Sequence, residues 1–353
     1  MKIGIIRNED PESARDWIQA CKNRNLGYTV IDISAVDWLE QVLSSQADFF
    51  VTQPPGNYER YKTMFDERLY IISQELGLRV FPSFTESLIY ENKKMSSYYF
   101  EAEKIPHPQT WVFYSYNEAE SFIQKAKYPF VAKTSIGASG SGVKIIKSPK
   151  EAMAYIHLAF KGRGIKRRFG PNRVTGSPKK WAAKTIKSPS YFIKRLKYYL
   201  EIVSNAQFGY VIFQEYIPHT FEWRVVKIGD SYFVHKKIVV KGKASGGKVK
   251  EFGFPPEAVL DYVKELCKEH NFHFVCVDLF ESERGYLVNE IQCVFGIPYK
   301  YLAKVGDDIG RFIQTDGSWV FEKGDFTMNE ACDLKLEAAI KLFSHNKEDF
   351  GDE

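Results

Sequence analysis

The sequence predicts an α/β protein in which an open parallel α/β domain precedes two lobes built on antiparallel sheets. Two observations carry this prediction. Residues 1–88 alternate short apolar runs with amphipathic segments, which indicates strands alternating with helices and hence a parallel sheet. After residue 206, strand-like runs instead follow one another across short turns at Gly229 and Gly285, which indicates antiparallel hairpins.

The composition is that of an ordinary globular protein, with 353 residues, 44% hydrophobic and 26% charged. This length exceeds what one compact core usually fills, so two or three domains are expected. No apolar run approaches the roughly 18 residues of a membrane helix, and the N-terminus turns acidic too early for a secretory signal. Five widely spaced cysteines without a Cys-x-x-Cys pair favour free thiols and a cytoplasmic location.

The first domain is predicted to contain four strands and three helices in alternation. The strands are Lys2–Arg7, Tyr28–Ile33, Asp48–Val51 and Arg79–Phe81, and the helices are Ser13–Arg24, Ala35–Leu43 and Tyr58–Leu76. The loop at residues 52–57 follows a strand at the edge where open α/β sheets bind ligands. A plain connecting loop is the competing interpretation.

The next segment contains a glycine-rich hairpin that could bind phosphate. A helix starting at Asn92 ends before Pro106, and a strand and a helix follow within residues 111–126. A further strand then carries Lys133 into the loop Gly137–Gly142. Small residues let backbone amides close on phosphate oxygens, and the lysine supplies charge. It is not a Walker loop, because the lysine precedes the glycines; an ordinary glycine-rich hairpin remains the alternative.

Residues 161–200 stand out by charge. They hold thirteen Lys and Arg residues, including Arg167, Arg168, Lys179 and Lys180, and no Asp or Glu. Aromatic residues interleave with these cations. A block of one sign suggests a polyanionic partner, whereas a solvated insertion explains it equally well.

The last part of the chain reads as strands followed by helices. Strands are predicted at Val211–Ile217, Glu222–Ile228, Ser231–Val240, Val275–Ser282 and Tyr286–Gln292, and helices at Pro256–His270 and residues 327–346. A second flexible basic loop, Lys241–Lys248, follows the third of these strands.

The hairpin at residues 275–292 carries a cluster of oxygen ligands. With a three-residue loop ending at Gly285, Ser282 pairs with Tyr286 and Asp278 lies opposite Glu290. Gln292 shares their face, because alternate residues of a strand point the same way. Two carboxylates and an amide oxygen on rigid strands suit Mg²⁺ that carries substrate phosphates. A solvated acidic face is the alternative for an isolated hairpin.

The order and spacing of these motifs, from Asn92 to Gly296, resemble the ATP-grasp superfamily and in particular its carboxylate–amine ligases. D-Alanine–D-alanine ligase, glutathione synthetase and the ribosomal-protein glutamate ligases are such relatives. The resemblance implies two lobes that hold a nucleotide between antiparallel sheets. It divides the chain into an N-terminal domain (1–88), a central lobe with the basic insertion (89–205) and a C-terminal lobe with the hinge and the metal hairpin (206–353).

The resemblance also implies roles for individual residues. The phosphates of ATP would contact Lys93, Lys133 and the loop Ser139, Gly140, Ser141 and Gly142, while the hinge Gln214, Glu215, Tyr216 and Ile217 would hold adenine and Glu222 the ribose. Arg224 and Lys237 would face the γ-phosphate as catalytic residues. Asp278, Glu290 and Gln292 would bind two Mg²⁺ ions, which Mn²⁺ can replace.

Two departures from the family pattern follow the hairpin. Most relatives have Asn where Gln292 stands, and a small residue, Pro and Gly after it, whereas this chain continues Cys293-Val294-Phe295-Gly296-Ile297-Pro298. Gln292 keeps an oxygen ligand on a longer arm, so metal binding is expected to survive while the acceptor pocket is reshaped. Cys293 is interpreted as a small wall residue rather than a reactive thiol.

The implied activity joins a carboxylate to an amine through an acylphosphate, with ATP converted to ADP and phosphate. A kinase of the same fold and a non-catalytic polyanion-binding protein are the rival hypotheses. The basic insertion suits an acidic macromolecular acceptor, such as a uronic-acid glycan or an acidic peptide. No known nucleic-acid readout motif is present, and the sequence leaves the oligomeric state open.

Overall fold

The computed structural model describes residues 1–137, 140–168, 182, 183, 186, 188–240, 243, 244, 249–297 and 301–345. The strands in these ranges form three sheets of four, nine and four strands. Within the same ranges, no helix is long and apolar enough to cross a membrane. The mixture of one parallel and two antiparallel sheets confirms the predicted fold class.

The first sheet is parallel, with strand order β2-β1-β3-β4. Its strands are β1 (Lys2–Arg7), β2 (Gly27–Asp32), β3 (Phe49–Thr52) and β4 (Val80–Phe81). All four residues of β3 are buried, as expected for a strand covered on both faces. Its helices are α1 (Arg15–Asn23), α2 (Trp38–Ser44), α3 (Glu59–Tyr70, prolonged by a π-helical turn at Ile71–Glu75) and α4 (Phe84–Ile89).

The second sheet is antiparallel, with order β5-β8-β6-β7. The strands are β5 (Thr110–Phe113), β6 (Phe130–Lys133), β7 (Val143–Ile146) and β8 (Val211–Glu215). Helix α5 (Lys93–Ala102) precedes the sheet in the sequence. Helices α6 (Tyr116–Lys125), α7 (Pro149–Phe160) and α8 (Pro189–Ser204) lie between its strands. Helix α5 begins where predicted, because the Asn92 side chain caps it by accepting from the Met95 amide at 3.2 Å.

The third sheet has nine strands, with the path β14-β13-β9-β10-β16-β15. The strands are β9 (Phe221–Ile228), β10 (Ser231–Val240), β11 (Lys243–Ala244), β12 (Lys250–Glu251), β13 (Phe274–Ser282), β14 (Gly285–Gln292), β15 (Lys304–Val305), β16 (Asp308–Thr315) and β17 (Ser318–Lys323). Its helices are α9 (Glu257–Glu269) and α10 (Cys332–His345). Strands β15 to β17 had no counterpart in the sequence prediction.

The first and third sheets share one hydrophobic core. Ile5 and Phe49 of the first sheet belong to the same buried cluster as Val225 and Val277 of the third, and Leu336 of α10 joins them. The second sheet has a separate core that includes Phe130 and Phe213. The parallel domain is therefore packed directly against the sheet that carries the acidic hairpin.

The last helix begins later than predicted. A helix was expected from residue 327, but α10 starts at Cys332. Asn329, Glu330 and Ala331 all have positive φ, at 53°, 52° and 58°, a conformation that right-handed helices exclude. A left-handed turn at Met328–Ala331 therefore precedes the helix.

Candidate active site

A cleft of about 860 Å³ is lined by residues of all three sheets and their loops. The second sheet contributes Lys133 and Gln214, the third sheet contributes Arg224 and Asp278, and the first domain contributes Gln53. A volume of this size lies within the range of small-molecule and cofactor sites. The cleft brings most of the sequence-predicted site residues into one space.

The hairpin pairs Asp278 with Glu290 as predicted, although by another route. The predicted three-residue loop is wrong, because Ser282 pairs with Gly285 and only two residues turn. A β-bulge between Asp278 and Leu279 then inserts Asn289 and restores the predicted register. Gln292, opposite Cys276, lies two residues beyond Glu290 and so shares its face.

Asp278 is the centre of a buried ionic cluster. Arg224 holds it in a two-point contact, from Nε to Oδ1 and from Nη2 to Oδ2, both at 2.8 Å. Lys237 Nζ donates to Asp278 Oδ2 at 2.7 Å. Burial alone would raise the pKa of Asp278, but Arg224 and Lys237 outweigh it and hold that pKa well below its usual range. Asp278 is therefore an anion at all ordinary pH values.

Glu222 lies in the same cluster. Its carboxylate accepts from Lys237 Nζ at 2.6 Å and lies 3.6 Å from His219 Nε2. Burial opposes ionisation, but Lys237 and His219 lower the pKa of Glu222 below its ordinary value. The residue that the family resemblance assigned to the ribose is thus buried and bonded to Lys237, with 6% of its surface exposed.

Lys93 forms a second charged group beside the hairpin. Its Nζ lies 3.2 Å from Glu290 Oε1 and 3.2 Å from Glu91 Oε2, and it donates to the Gly137 carbonyl at 2.9 Å. Burial would lower the pKa of Lys93, but Glu91 and Glu290 raise it above its ordinary value. Lys93 therefore links the hairpin to the glycine-rich loop.

Glu91 was not foreseen from the sequence. It has positive φ (47°), is 3% exposed, and accepts from Gln292 Nε2 at 2.9 Å. By taking the amide nitrogen of Gln292, it turns Gln292 Oε1 toward Arg224, whose Nη2 lies 3.5 Å away. The only signal in the sequence was an acidic residue directly before the Asn92-Lys93 pair.

Lys133 reaches across the cleft from the second sheet to the third. Its Nζ donates at 3.1 Å to Oδ1 of Asn289, the bulged residue of the hairpin. Burial lowers the pKa of Lys133 to about 8; Lys93 and Lys237 add to this effect, and Glu290 and Glu222 oppose it. Asn289 is the second site residue that the sequence analysis missed.

The phosphate loop and the hinge border the cleft. Gly137 and Gly140 line it, as do the hinge residues Gln214, Glu215, Tyr216 and Ile217. Within the loop, the Thr134 amide donates to the Gly142 carbonyl at 3.0 Å and the Arg168 amide donates to the Ser141 carbonyl at 2.9 Å. Ser139, and most of the second predicted loop at residues 241–248, lie outside the described residues.

Arg167 is buried beside the glycine-rich loop and does not lie on an exposed basic surface. It is 8% exposed, and its Nη2 donates to the Asn57 carbonyl at 2.5 Å. Gly137, with φ of +139°, has no room for a side chain because a Cβ there would lie 2.6 Å from Arg167 Cδ. Arg167 thus ties the first domain to the glycine-rich loop, and its side chain is exposed neither to solvent nor to a polyanionic partner in this structure.

Cys293 is a buried residue of the hydrophobic core and does not itself line the cleft. It is 1% exposed, and burial raises the pKa of its thiol well above the ordinary value. Reactive cysteines have a low thiol pKa and solvent access. Cys293 has neither property.

The donor set of the hairpin fits a magnesium ion. Within the described part of the chain, no three His, Cys, Asp or Glu residues form a metal site of their own. Asp278, Glu290 and Gln292 supply three oxygen ligands on one face, and Mg²⁺ usually completes its shell with water and substrate phosphates. Lys93 contacts Glu290, and Arg224 contacts Asp278 and Gln292, so cations pair with all three of these side chains.

We expect the ionic cluster to depend strongly on Lys237. Replacing Lys237 with Met leaves Glu222 and Asp278 buried with one cation fewer, which should lower the free energy of unfolding by about 3–5 kcal/mol at neutral pH. Urea denaturation measures this change. Lys341→Met is the matched control, because its ion pair with Asp230 is exposed and should contribute less than about 1 kcal/mol. Equal stability of the two variants would contradict this prediction.

Many solved structures have a similar fold, among them the following three. D-Alanine–D-alanine ligase from Bacillus anthracis aligns with a TM-score of 0.53 and 14% identity over 99% of this chain and 100% of its own. The macrocyclase MdnC from Microcystis aeruginosa MRC, solved with its precursor peptide MdnA, aligns with a TM-score of 0.51 and 12% identity over 97% of this chain and 100% of its own. The ADP complex of PurK, N5-carboxyaminoimidazole ribonucleotide synthetase, aligns with a TM-score of 0.50 and 15% identity over 83% of this chain and 70% of its own.

No protein-family model matches the chain, and a search of curated proteins finds no match. The structural alignments nevertheless cover almost the entire chain, and they agree with the fold expected from the motif order. The protein has the ATP-grasp fold.

Proposed function

We propose that the protein is an ATP-dependent carboxylate–amine ligase. The observation that carries this proposal is the meeting, in one cleft of an ATP-grasp fold, of Lys93 and Lys133 with the Arg224–Asp278 pair and Glu290. Such a site offers cations for phosphate oxygens beside two carboxylates for a metal. Structural neighbours described as ligases or synthetases support the general class.

In the proposed reaction, a substrate carboxylate attacks the γ-phosphate of ATP, and an amine then displaces phosphate from the acylphosphate. Negative charge grows on the phosphoryl oxygens in the first step. Arg224 and Lys133 would neutralise it, with Lys237 keeping Asp278 oriented. Mg²⁺ held by Asp278, Glu290 and Gln292 would supply further charge neutralisation.

The hinge and the remaining predicted residues complete the proposal. Adenine would lie against Gln214–Ile217 and the phosphates against Lys93 and the glycine-rich loop, of which Gly137 and Gly140 line the cleft. Because Glu222 is bonded to Lys237, its predicted contact with the ribose would require that bond to open. The division into domains 1–88, 89–205 and 206–353 is part of the same proposal.

An acidic acceptor is the finer part of the proposal. It rests on the thirteen cations of residues 161–200. One structural neighbour was solved with a peptide, which favours a peptide among the acidic acceptors that the sequence suggested. A uronic-acid glycan has the same carboxylate chemistry.

Product analysis separates the ligase from a kinase of the same fold. Purified protein with Mg-ATP would be given a panel of amino acids together with acidic peptides or uronic-acid oligosaccharides, and ADP and phosphate would be measured. A ligase releases both, and only when the carboxylate and the amine are present together. Release of ADP without phosphate would identify a kinase, and failure to bind nucleotide at all would remove the enzyme proposal.

We expect nucleotide binding to weaken as the pH rises above about 8. Burial lowers the pKa of Lys133 to about 8, so its ammonium loses its proton, and its attraction for phosphate, in this range. Titrations with a non-hydrolysable Mg-ATP analogue between pH 7 and 9.5 measure the effect. Lys133→Arg keeps its charge throughout and should flatten the profile. An equally steep profile in that variant would assign the titration to another group.

A further inference from the structure

One end of the cleft contains an ammonium group, on a largely buried lysine, that the reaction scheme does not use. Lys335 of α10 lines the cleft and is 8% exposed. Its Nζ lies 4.8 Å from the ring centre of Phe274 and 5.3 Å from that of Phe295. In the described part of the chain it forms no hydrogen bond or ion pair. Aromatic faces attract a cation, but they are poor hydrogen-bond acceptors. The three N–H donors of the ammonium are therefore available to an anionic ligand.

The surroundings of Lys335 carry charges of both signs. Asp16 and Glu330 line the same end of the cleft. All three charges act on the nearby Cys332 thiol. Burial raises the pKa of Cys332 to about 11; Lys335 works against this rise, and Asp16 and Glu330 add to it. Asp16 is already bonded to Arg15 at 3.0 Å, whereas Glu330 is exposed at the cleft. A ligand with one anionic and one cationic group matches this arrangement better than a dianion.

The backbone presents these groups to the cleft in an unusual way. Asn329, Glu330 and Ala331 are successive left-handed residues, which L-amino acids seldom adopt. Asn329 Nδ2 donates to the Asp16 carbonyl at 2.9 Å and so fastens this turn to the first domain. The turn also sets the start of α10, and hence the position of Lys335.

The distance to the reaction centre fits a small ligand. Phe295, which faces Lys335 Nζ, follows Gln292 by three residues, so at most about 10 Å of extended chain separates them. We propose that this end of the cleft binds an amino-acid substrate through its α-carboxylate, with Lys335 as the anion-binding group. The inference rests on the proposed ligase function and names one of its substrate classes.

The test measures amino-acid binding to the full-length protein saturated with a non-hydrolysable Mg-ATP analogue. The probes are glycine, both enantiomers of alanine and glutamate, and the corresponding α-amides, which lack the charged carboxylate. At least one amino acid should bind, and its amide should bind at least 10-fold more weakly. Lys335→Met should raise the Kd of that amino acid at least 10-fold, and Lys335→Arg should restore most of the affinity.

The controls separate this inference from the proposed function. Lys341→Met removes the same charge from the same helix outside the cleft and should change nothing. Nucleotide affinity, measured first, should be equal in wild type and Lys335→Met. If wild type binds no nucleotide, the ligase proposal fails, and the amino acids are then tested alone. The carboxylate site itself is overturned if no amino acid binds, if acid and amide bind equally, or if Lys335→Met binds like wild type; should that variant not fold, the amide comparison decides.

A second, independent inference concerns the surface of α8. Five large side chains of this helix are between 42% and 56% exposed: Phe192, Ile193, Leu196, Tyr199 and Leu200. Their spacing of three and four residues puts them on one side of the helix, here called the α8 apolar face. Another side of the helix is already packed, since Ile202 is 2% exposed and Glu201 pairs with Arg60 at 3.4 Å.

The charge of the surrounding sequence indicates what covers this face. Residues 161–200 contain thirteen cations, of which Arg167 and Arg195 are buried, and no acid. The remaining positive charge complements an anionic surface. A basic segment with an aromatic and aliphatic helix face is typical of helices that lie in the interface of anionic membranes. None of the five residues lines the active-site cleft, so the face is not part of the nucleotide site. We infer that α8 lies flat on the surface of an anionic lipid bilayer.

Co-sedimentation with vesicles tests this inference. The protein should bind vesicles of phosphatidylcholine with phosphatidylglycerol, not phosphatidylcholine alone, and binding should weaken with salt. The double variant Leu196→Ser, Leu200→Ser should lower the bound fraction at least 10-fold. Leu39→Ser with Leu43→Ser is the matched control, because these residues have the same spacing on α2 and are also exposed. The inference is overturned if anionic vesicles are not bound, if both double variants bind like wild type, or if the α8 variant loses self-association or polyglutamate binding instead.

Discussion

Glu290→Gln should lower ATP-dependent turnover at least about 100-fold, on the scale of losing a main electrostatic stabiliser of the transition state. Glu290 is a carboxylate of the metal face, and its only described ion pair is with Lys93 at 3.2 Å. Its replacement therefore exchanges a charged oxygen of the proposed metal face for a neutral one without disturbing the Arg224–Asp278 pair. Steady-state ADP release at saturating Mg²⁺ measures the loss.

Asp278→Asn should cause a loss at least as large, accompanied by lower stability. This change also weakens the contacts of Asp278 with Arg224 and Lys237. Glu283→Gln, in the turn of the same hairpin, is the control and should be neutral, because Glu283 does not line the cleft. Wild-type turnover by Glu290→Gln would place the metal outside the hairpin.

Arg224→Lys should lower turnover by about 100-fold while nucleotide affinity changes much less. Lysine keeps the charge but cannot form the two-point contact that Arg224 makes with Asp278, nor spread its donors over a phosphoryl group. Single-turnover kinetics separates the chemical step from nucleotide binding. A proportional loss of nucleotide affinity would mean that Arg224 serves the bound ATP and not the transition state. The control is Lys236→Arg, on the adjacent strand β10, where Lys236 pairs with Trp223, the residue before Arg224.

The hairpin shows both the reach and the limit of sequence reasoning. Counting outward from the turn at Gly285 predicted the pairing of Asp278 with Glu290, which the structure has. The loop length was wrong by one residue, and the bulge at Asn289 corrected the register. A bulge is a local response to packing across the strands, so no residue pattern in the sequence predicted it. The bulge places Asn289 against Lys133.

The contacts that sequence reasoning missed join distant parts of the chain. Glu91 contacts Gln292, which lies 201 positions later, and Arg167 contacts Asn57, 110 positions earlier. Periodicity and turn chemistry describe neighbours along the sequence, whereas these contacts form only when the sheets assemble. Most strands and helices, by contrast, were predicted to within a few residues, because their apolar spacing is local.

The structure of the protein with a non-hydrolysable Mg-ATP analogue tests the central claim most directly. We predict that the triphosphate lies between Lys93 and Lys133 with the metal on Asp278, Glu290 and Gln292, and adenine against residues 214–217. The contact between Lys93 and Glu290, now 3.2 Å, should open as Lys93 turns to phosphate. A nucleotide bound elsewhere, or phosphates with no contact to the hairpin, would contradict the account.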